Sequence, residues 1–117
     1  MDKAINAHKM SPVIIVCVQA LPIGWYCNAN FGAKGVNSGP VEDVLIKNLI
    51  PYIDSHYRTI AKYTGRGIEG WSMGGFGATR LAFKYPELFG FASSVAGALI
   101  DFQDEHNPQY LQYLWTC

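Results

Sequence analysis

The chain has 117 residues, which is enough for one domain but not for two. Half of its residues are hydrophobic and 14% are aromatic, which favours a packed core over disorder. Its nine basic residues balance its nine acidic residues, so no net field would steer it onto nucleic acid or an anionic membrane.

The first part of the chain predicts a helix, a strand and a long loop. Residues 1–9 show apolar residues at helical spacing, and Ser11-Pro12 would stop that helix. Val13–Val18 is apolar on both faces, which predicts a strand buried on both sides within a parallel sheet. Residues 19–40 are rich in glycine and form a predicted loop, whose aromatic residues Trp25 and Tyr26 a mere linker would not need.

The middle of the chain predicts alternating helices and strands. A helix is expected from Val41 to about Tyr57, with a bend or interruption at Pro51. The following elements are predicted as a strand, a helix and a third strand: Gly67–Trp71, Met73–Tyr85 and Phe89–Val95. This alternation is typical of βαβ units, with a parallel sheet and helices on both of its faces.

The predicted strand-to-helix junction carries the pattern G-x-S-x-G over Gly70–Gly74, with Ser72 at its centre. A strand runs into the pattern and a helix leaves it, as a nucleophile elbow requires. The turn is expected to be so tight that hydrogen, or little more, fits as a side chain at Gly70 and Gly74. Ser72 would then be strained with its Oγ exposed, and the N–H of Met73 could donate to a developing oxyanion.

These residues resemble a known family. The runs N-L-I-P-Y-I-D at 48–54, S-M-G-G-F-G-A at 72–78 and Y-P-E-L-F at 85–89 look like the putative-esterase branch of the α/β-hydrolases, which includes feruloyl esterases. The resemblance implies a three-layer parallel-sheet α/β-hydrolase core, with residues 1–117 as a single partial domain that is truncated at both ends. It also implies a serine hydrolase of short-acyl or phenolic esters, with Ser72 as nucleophile and Met73 in the oxyanion hole.

The expected partners of the nucleophile follow it in the order acid, then histidine. The only histidine after Ser72 is His106, and either Asp101 or Asp104 could be the acid, so the candidate triad is Ser72, His106 and Asp101. In the family these two partners lie on separate loops, whereas here they are close in sequence. The competing interpretation is a solvated polar loop over 104–107 in a catalytically inactive esterase fragment or a self-association module.

The candidate substrate-binding residues are Trp25, Tyr26 and Trp71, which could line an acyl or aromatic pocket; the alternative is that they pack within the core or a loop. A zinc site is not expected, because no histidine lies at ligand spacing from a cysteine pair. No metal or organic cofactor is implied by the resemblance. Three cysteines without a C-x-x-C pair predict free thiols. Together with the absence of a visible signal peptide or membrane span, they predict a cytoplasmic protein.

The family's strand order places one further strand between Val13–Val18 and Gly67–Trp71, and this sequence does not contain it. A gap there would expose unpaired N–H and C=O groups on both sides, which a soluble protein cannot leave bare. Either the two strands pair directly, or another chain fills the gap by strand addition or swapping. A homo-oligomer or strand-swapped dimer is therefore expected.

Overall fold

The computed structural model describes residues 2–20, 24–28 and 39–98. The described elements, in chain order, are helix α1, the long helix α2, strand β1, helix α3 and strand β2. Their bounds are Asp2–Asn6 for α1, residues 41–56 for α2, Gly67–Trp71 for β1, Met73–Lys84 for α3 and Phe91–Val95 for β2. A short 3₁₀ turn, Tyr63–Gly65, precedes β1. In the described ranges no helix is long and apolar enough to cross a membrane.

The two strands form a parallel pair, as the alternation of elements predicts. Gly67 pairs with Phe91 and Trp71 pairs with Val95, so the two strands match along their full length. Helix α3 connects them and packs against both. This β1–α3–β2 unit confirms the predicted bounds of β1 and places the end of α3 one residue earlier than predicted. Strand β2 begins at Phe91 because Phe89 is buried in the core instead of joining the ladder.

Helix α2 contains the irregularity that Pro51 predicts, but it does not break. It consists of the α-helical turn Val41–Asp43, the π-helical segment Val44–Leu49 and the α-helical segment Ile50–His56. Proline has no N–H to donate to the preceding turn, so a regular α-helix through this point would lose a hydrogen bond. The wider π-helical spacing directly precedes Pro51, and the helix continues past it in α-helical form.

The hydrophobic core joins both long helices to the sheet. Leu45 of α2, Leu81 of α3 and Phe89 are buried together, and Ile68 of β1 packs against them. Both helices therefore cover the same face of the sheet. The opposite face carries Trp71, Phe91 and Val95, which are exposed in the described part of the chain. The described residues thus form two layers of the three that were expected.

The predicted strand Val13–Val18 is wrong for this structure, which contains no helix or strand between residues 7 and 20. Val13–Cys17 is exposed, and it does not pair with β1. The apolar pattern does predict a segment suited to burial, but a strand forms only where a neighbouring strand supplies hydrogen-bond partners. Direct pairing of the two segments, which was one of the two expected arrangements, does not occur in the described residues.

Helix α1 is shorter than the predicted helix over residues 1–9, because it ends at Asn6. The N–H of His8 donates to the carbonyl of Ile5, and the N–H of Lys9 donates to that of Ala4. His8 has a positive φ of 54°, so this is a Schellman ending with a histidine at the position that glycine usually occupies. No residue of α1 is buried, although Ala4 and Ile5 are half-buried.

Candidate functional site

Ser72 lies at the junction between β1 and α3, and its backbone conformation is unusual. Its φ is 53° and its ψ is −116°, a region that residues with a Cβ rarely occupy. Such strain persists only where the surrounding structure holds it, and it is concentrated at functional sites. The Ser72 side chain is half-buried, and it makes no capping hydrogen bond to α3 although Ser72 is the N-cap residue.

The glycines of the junction differ in how much room they have. A Cβ at Gly70 would overlap the carbonyl carbon and oxygen of Gly74 and would lie 2.8 Å from its Cα. This close approach confirms that only hydrogen fits as a side chain at Gly70. A Cβ at Gly74 would have the Tyr26 hydroxyl as its nearest neighbour, at 3.9 Å, which is ordinary contact. The crowding expected at Gly74 is therefore absent from the described structure.

The end of β2 holds the backbone of Ser72 from both sides. The N–H of Ser72 donates to the carbonyl of Val95 at 3.0 Å, and the carbonyl of Ser72 accepts from the N–H of Ala98 at 3.2 Å. The Ser94 hydroxyl donates to the carbonyl of Gly75 at 3.0 Å. These three hydrogen bonds fix the first turn of α3 against the sheet, so the strained serine is supported by several partners.

The aromatic loop packs against the first turns of α3. Trp25 and Tyr26 both have positive φ values, 46° and 57°. The Trp25 ring meets Phe76 edge to face with 5.4 Å between centroids, and the Tyr26 ring covers Gly77 so closely that a Cβ there would lie 2.5 Å from it. Both side chains are half-buried, so packing accounts for most of their contacts.

Trp71 is separated from this aromatic pair. Its side chain is 73% exposed and lies on the face of the sheet opposite the helices, whereas Trp25 and Tyr26 pack on α3. The three aromatic candidates therefore lie on two sides of the sheet: Trp25 and Tyr26 are on the side of α3, and Trp71 is on the opposite face. The structure does not bring them together into one described pocket.

We expect Gly77→Ala to destabilise the fold by about 1–3 kcal/mol, because the new methyl group must displace the Tyr26 ring. The measurement is urea-induced unfolding of four proteins: the wild type, Gly77→Ala, Tyr26→Gly and the double variant. Glycine replaces Tyr26 because the Cβ of residue 26 would itself lie 2.9 Å from the added methyl group. With Tyr26 removed, Gly77→Ala should become neutral or stabilising, since alanine is the better helix former by about 1 kcal/mol. An equal loss in both backgrounds would show that the ring contact is not the cause.

Comparisons with known proteins show the family of this chain. Residues 1–115 match the family described as "Putative esterase". The chain belongs to this esterase family. Its fold is therefore α/β-hydrolase-like, and the described parallel pair with its connecting helix is consistent with part of such a fold.

Two relatives illustrate the family. The chain is 42% identical over 86 residues, 74% of its length, to the protein named Esterase Rv1288 of Mycobacterium tuberculosis. It is 30% identical over 117 residues, 99% of its length, to a protein of Xylanibacter ruminicola named Endo-1,4-beta-xylanase/feruloyl esterase. It spans only 18% and 16% of these two relatives, so it is similar to a small part of each.

The predicted partners of Ser72, His106 and Asp101 or Asp104, lie outside the described residues. Of the other histidines, His56 is exposed at the end of α2, where its Nδ1 lies 2.9 Å from the carbonyl of Tyr52 and its ring stacks on the Tyr52 ring. His56 is therefore a surface residue at a helix end. The described ranges contain no group of three or more metal-ligating side chains.

A buried carboxylate near the C-terminal end of α3 was not predicted from the sequence. Glu42 is only 2% exposed, and its oxygens accept from the cations of Arg80 and Lys84, each at 2.6 Å, and from the Tyr85 hydroxyl at 2.5 Å. Burial by itself raises the pKa of a carboxyl group, but these three hydrogen bonds outweigh it and hold the pKa of Glu42 below its usual 4.5. The hydrogen bond that the Tyr85 hydroxyl donates to Glu42 raises the pKa of Tyr85 to about 12.

This glutamate cluster connects α2 to the far end of the helix that begins after Ser72. A second set of hydrogen bonds fixes the start of α2. The side-chain carbonyl of Asn28 accepts from the N–H of Asp43, and the side-chain amide of Asn28 donates to the Asp43 carboxylate, both at 3.0 Å. Asn28 lies two residues after Tyr26, so this hydrogen-bonded pair connects the segment that carries Trp25 and Tyr26 to the start of α2. Asparagine often caps helix N-termini, but Asn28 is 15 residues from Asp43, so its capping of α2 could not be predicted from local sequence.

Proposed function

We propose that this protein is a serine carboxylic-ester hydrolase that forms an acyl-enzyme on Ser72. The observation that supports this most is the strained backbone of Ser72, with φ 53° and ψ −116°. Ser72 lies at a strand-to-helix junction where the backbone of Gly70 closely approaches the backbone of Gly74. A nucleophile elbow has this arrangement, because it lifts the serine hydroxyl clear of the strand ends. Membership of an esterase family supplies the reaction class.

The proposed reaction has two half-steps. The Oγ of Ser72 attacks the ester carbonyl carbon and passes its proton to a histidine base, and the alcohol then leaves with that proton. Water, deprotonated by the same base, attacks the acyl-enzyme, releases the carboxylic acid and restores the Ser72 hydroxyl. The base is proposed to be His106 and its orienting acid Asp101, with Asp104 as the alternative acid.

The oxyanion is proposed to bind at the start of α3. The first N–H groups of a helix have no acceptor within the helix, and the helix dipole favours negative charge at this end. The N–H of Met73 belongs to this first turn, directly after Ser72. Hydrogen bonds from Ser72 and Ala98 to their partners keep this turn in place, so the donor needs little reorganisation during the reaction.

The substrate class is proposed from the aromatic surroundings and from the relatives. One relative is named as a feruloyl esterase, which favours phenolic esters, and short-acyl esters are the other expected class. Trp25 and Trp71 border the junction on its two sides and could contact an aromatic acyl group. Tyr26 is more tightly engaged with α3 and would act mainly by holding the loop.

The test is hydrolysis of p-nitrophenyl acetate and of methyl ferulate by the wild type, Ser72→Ala and Ser93→Ala. Ser93 lies on the neighbouring strand, paired with Glu69, and is a matched serine outside the junction. We expect Ser72→Ala to lower kcat/KM by about 10³-fold or more, as the loss of a nucleophile does, and Ser93→Ala to leave it nearly unchanged. Equal turnover by wild type and Ser72→Ala would contradict the proposal.

The choice of base is tested separately with His106→Ala. If His106 acts within the same chain or across an oligomer, its loss should reduce turnover about as much as the loss of Ser72, because triad members act as a unit. Turnover that is indifferent to His106 would remove it from the mechanism. No turnover in the wild type would favour the inactive-fragment alternative.

A further inference from the structure

The side chain of Ser94 connects the end of β2 to the first turn of α3. Its hydroxyl donates to the carbonyl of Gly75 at 3.0 Å. Gly75 lies in the same helical turn as Met73, whose N–H is proposed to bind the oxyanion. The hydrogen bonds described above for Ser72 at this junction join backbone groups. Ser94 therefore supplies a side-chain contact between the sheet and this turn, which a substitution can remove.

The backbones that meet at this hydrogen bond are closely packed. A Cβ at Gly75 would lie 2.7 Å from the Cα of Gly97 and 2.8 Å from the Oγ of Ser94. A Cβ at Gly97 would overlap the same Oγ and would lie 3.1 Å from the carbonyl carbon of Gly75. These separations are shorter than van der Waals contact, so the Ser94 hydroxyl reaches the helix only because both neighbours are glycine.

The carbonyl of Gly75 also accepts from a second hydroxyl, that of Thr79, at 3.0 Å. Thr79 and Gly75 belong to the same helix, so this hydrogen bond satisfies the carbonyl without connecting α3 to the sheet. The carbonyl therefore does not depend on Ser94 for a donor. Ser94 and Thr79 share an acceptor, and they differ in that Ser94 joins two elements.

We infer that Ser94 is a positioning residue for ester hydrolysis, which holds the first turn of α3 so that the N–H of Met73 faces the developing oxyanion. This inference rests on the function proposed for Ser72. The loss of a whole oxyanion donor lowers kcat about 10²–10³-fold, and such a donor acts only if it is in place before charge develops. Ser94 acts through the turn and not on the substrate, so its loss should remove part of that factor.

The first test compares the hydrolysis of p-nitrophenyl acetate by the wild type, Ser94→Ala and Thr79→Val. Ser94 is exposed, so alanine opens no buried cavity there. We expect Ser94→Ala to lower kcat about tenfold with KM nearly unchanged, because the oxyanion forms only in the transition state. Thr79→Val removes the other donor to the same carbonyl and should leave both constants nearly unchanged. Equal effects of the two variants would overturn the inference.

A trifluoromethyl ketone inhibitor distinguishes positioning from a loss of folded protein. This compound adds to an active serine as a tetrahedral adduct whose oxygen is negatively charged, so it resembles the transition state. In Ser94→Ala its inhibition constant should rise about as much as kcat/KM falls. A smaller folded fraction would lower the apparent kcat and leave the inhibition constant unchanged, which would overturn the inference.

The two proposals fail in different ways. A wild type without turnover would overturn the function proposed for Ser72 and this inference with it. A wild type that hydrolyses the ester, together with a Ser94→Ala variant of equal kcat, would overturn the role of Ser94 alone.

Discussion

Gly70→Ala is expected to destabilise the protein by about 3 kcal/mol or more, close to the upper end of overpacking effects. The added Cβ would overlap backbone atoms of Gly74, and backbone cannot rotate aside as a side chain can. Because β1 and α3 meet at this point, relief would require moving the strand away from the helix that carries Met73. Urea unfolding measures the stability, and ester hydrolysis measures the expected parallel loss of activity.

The matched control for that variant is Gly74→Ala in the same motif. A Cβ at Gly74 would meet nothing closer than 3.9 Å, so no comparable clash arises. Gly74 lies in the first turn of α3, where alanine is favoured over glycine by up to about 1 kcal/mol. We therefore expect Gly74→Ala to be neutral or slightly stabilising. The reverse order, with Gly74→Ala the more destabilising of the two, would contradict the described geometry.

Glu42→Ala is expected to cost about 3–5 kcal/mol, because it leaves two cations and a tyrosine hydroxyl without their shared partner. The cluster connects α2 to the last turns of α3, so both helices should loosen from the core together. Glu69→Ala is the control, since Glu69 is an exposed glutamate on β1 and its loss should have a small effect. Thermal and urea unfolding of the three proteins compare them directly.

The stability that Glu42 contributes should also depend on pH. Its pKa lies below the usual 4.5 in the folded state, so the contribution is present above pH 4.5 and is lost as the pH falls through the folded pKa. The stability difference between wild type and Glu42→Ala should therefore shrink in acid. At alkaline pH, the Tyr85 hydroxyl must stay protonated to donate to Glu42. Because the pKa of Tyr85 is raised to about 12, the stability from this hydrogen bond is fully present below pH 10 and is lost toward pH 12. A difference that stays constant from pH 7 to pH 3 would contradict this role for Glu42.

The sequence predicts the β1–α3–β2 unit well, because its signals are local. The motif Gly70–Gly74 around Ser72 requires a tight turn, and Pro86 closes the helix that follows. Val13–Val18 fails as a strand prediction for the opposite reason. Its apolar pattern records a preference for burial, whereas a strand also needs a neighbour, and no described segment occupies the place beside it. Pairing is a property of the assembled sheet.

The predicted site was recovered only in part, again for physical reasons. The positive φ of Ser72 follows from its motif, so its placement could be anticipated. The Glu42 cluster could not, since its partners lie 38 or more residues along the chain and only the packing of α2 on α3 brings them together. The positions of Trp25 and Trp71 on opposite sides of the sheet could not be predicted either. The side of Trp71 depends on the alternation of side chains along β1, and that of Trp25 depends on a loop conformation that no local pattern specifies.

Covalent labelling tests most directly whether Ser72 is an activated nucleophile. The full chain is treated with a fluorophosphonate, which reacts with activated serine hydroxyls, and the modified peptide is located by mass spectrometry. We expect a single stoichiometric adduct on Ser72, which is absent from Ser72→Ala and present in Ser93→Ala. A folded wild-type protein that takes up no label, or that carries it on another serine, would contradict the role of Ser72 as nucleophile.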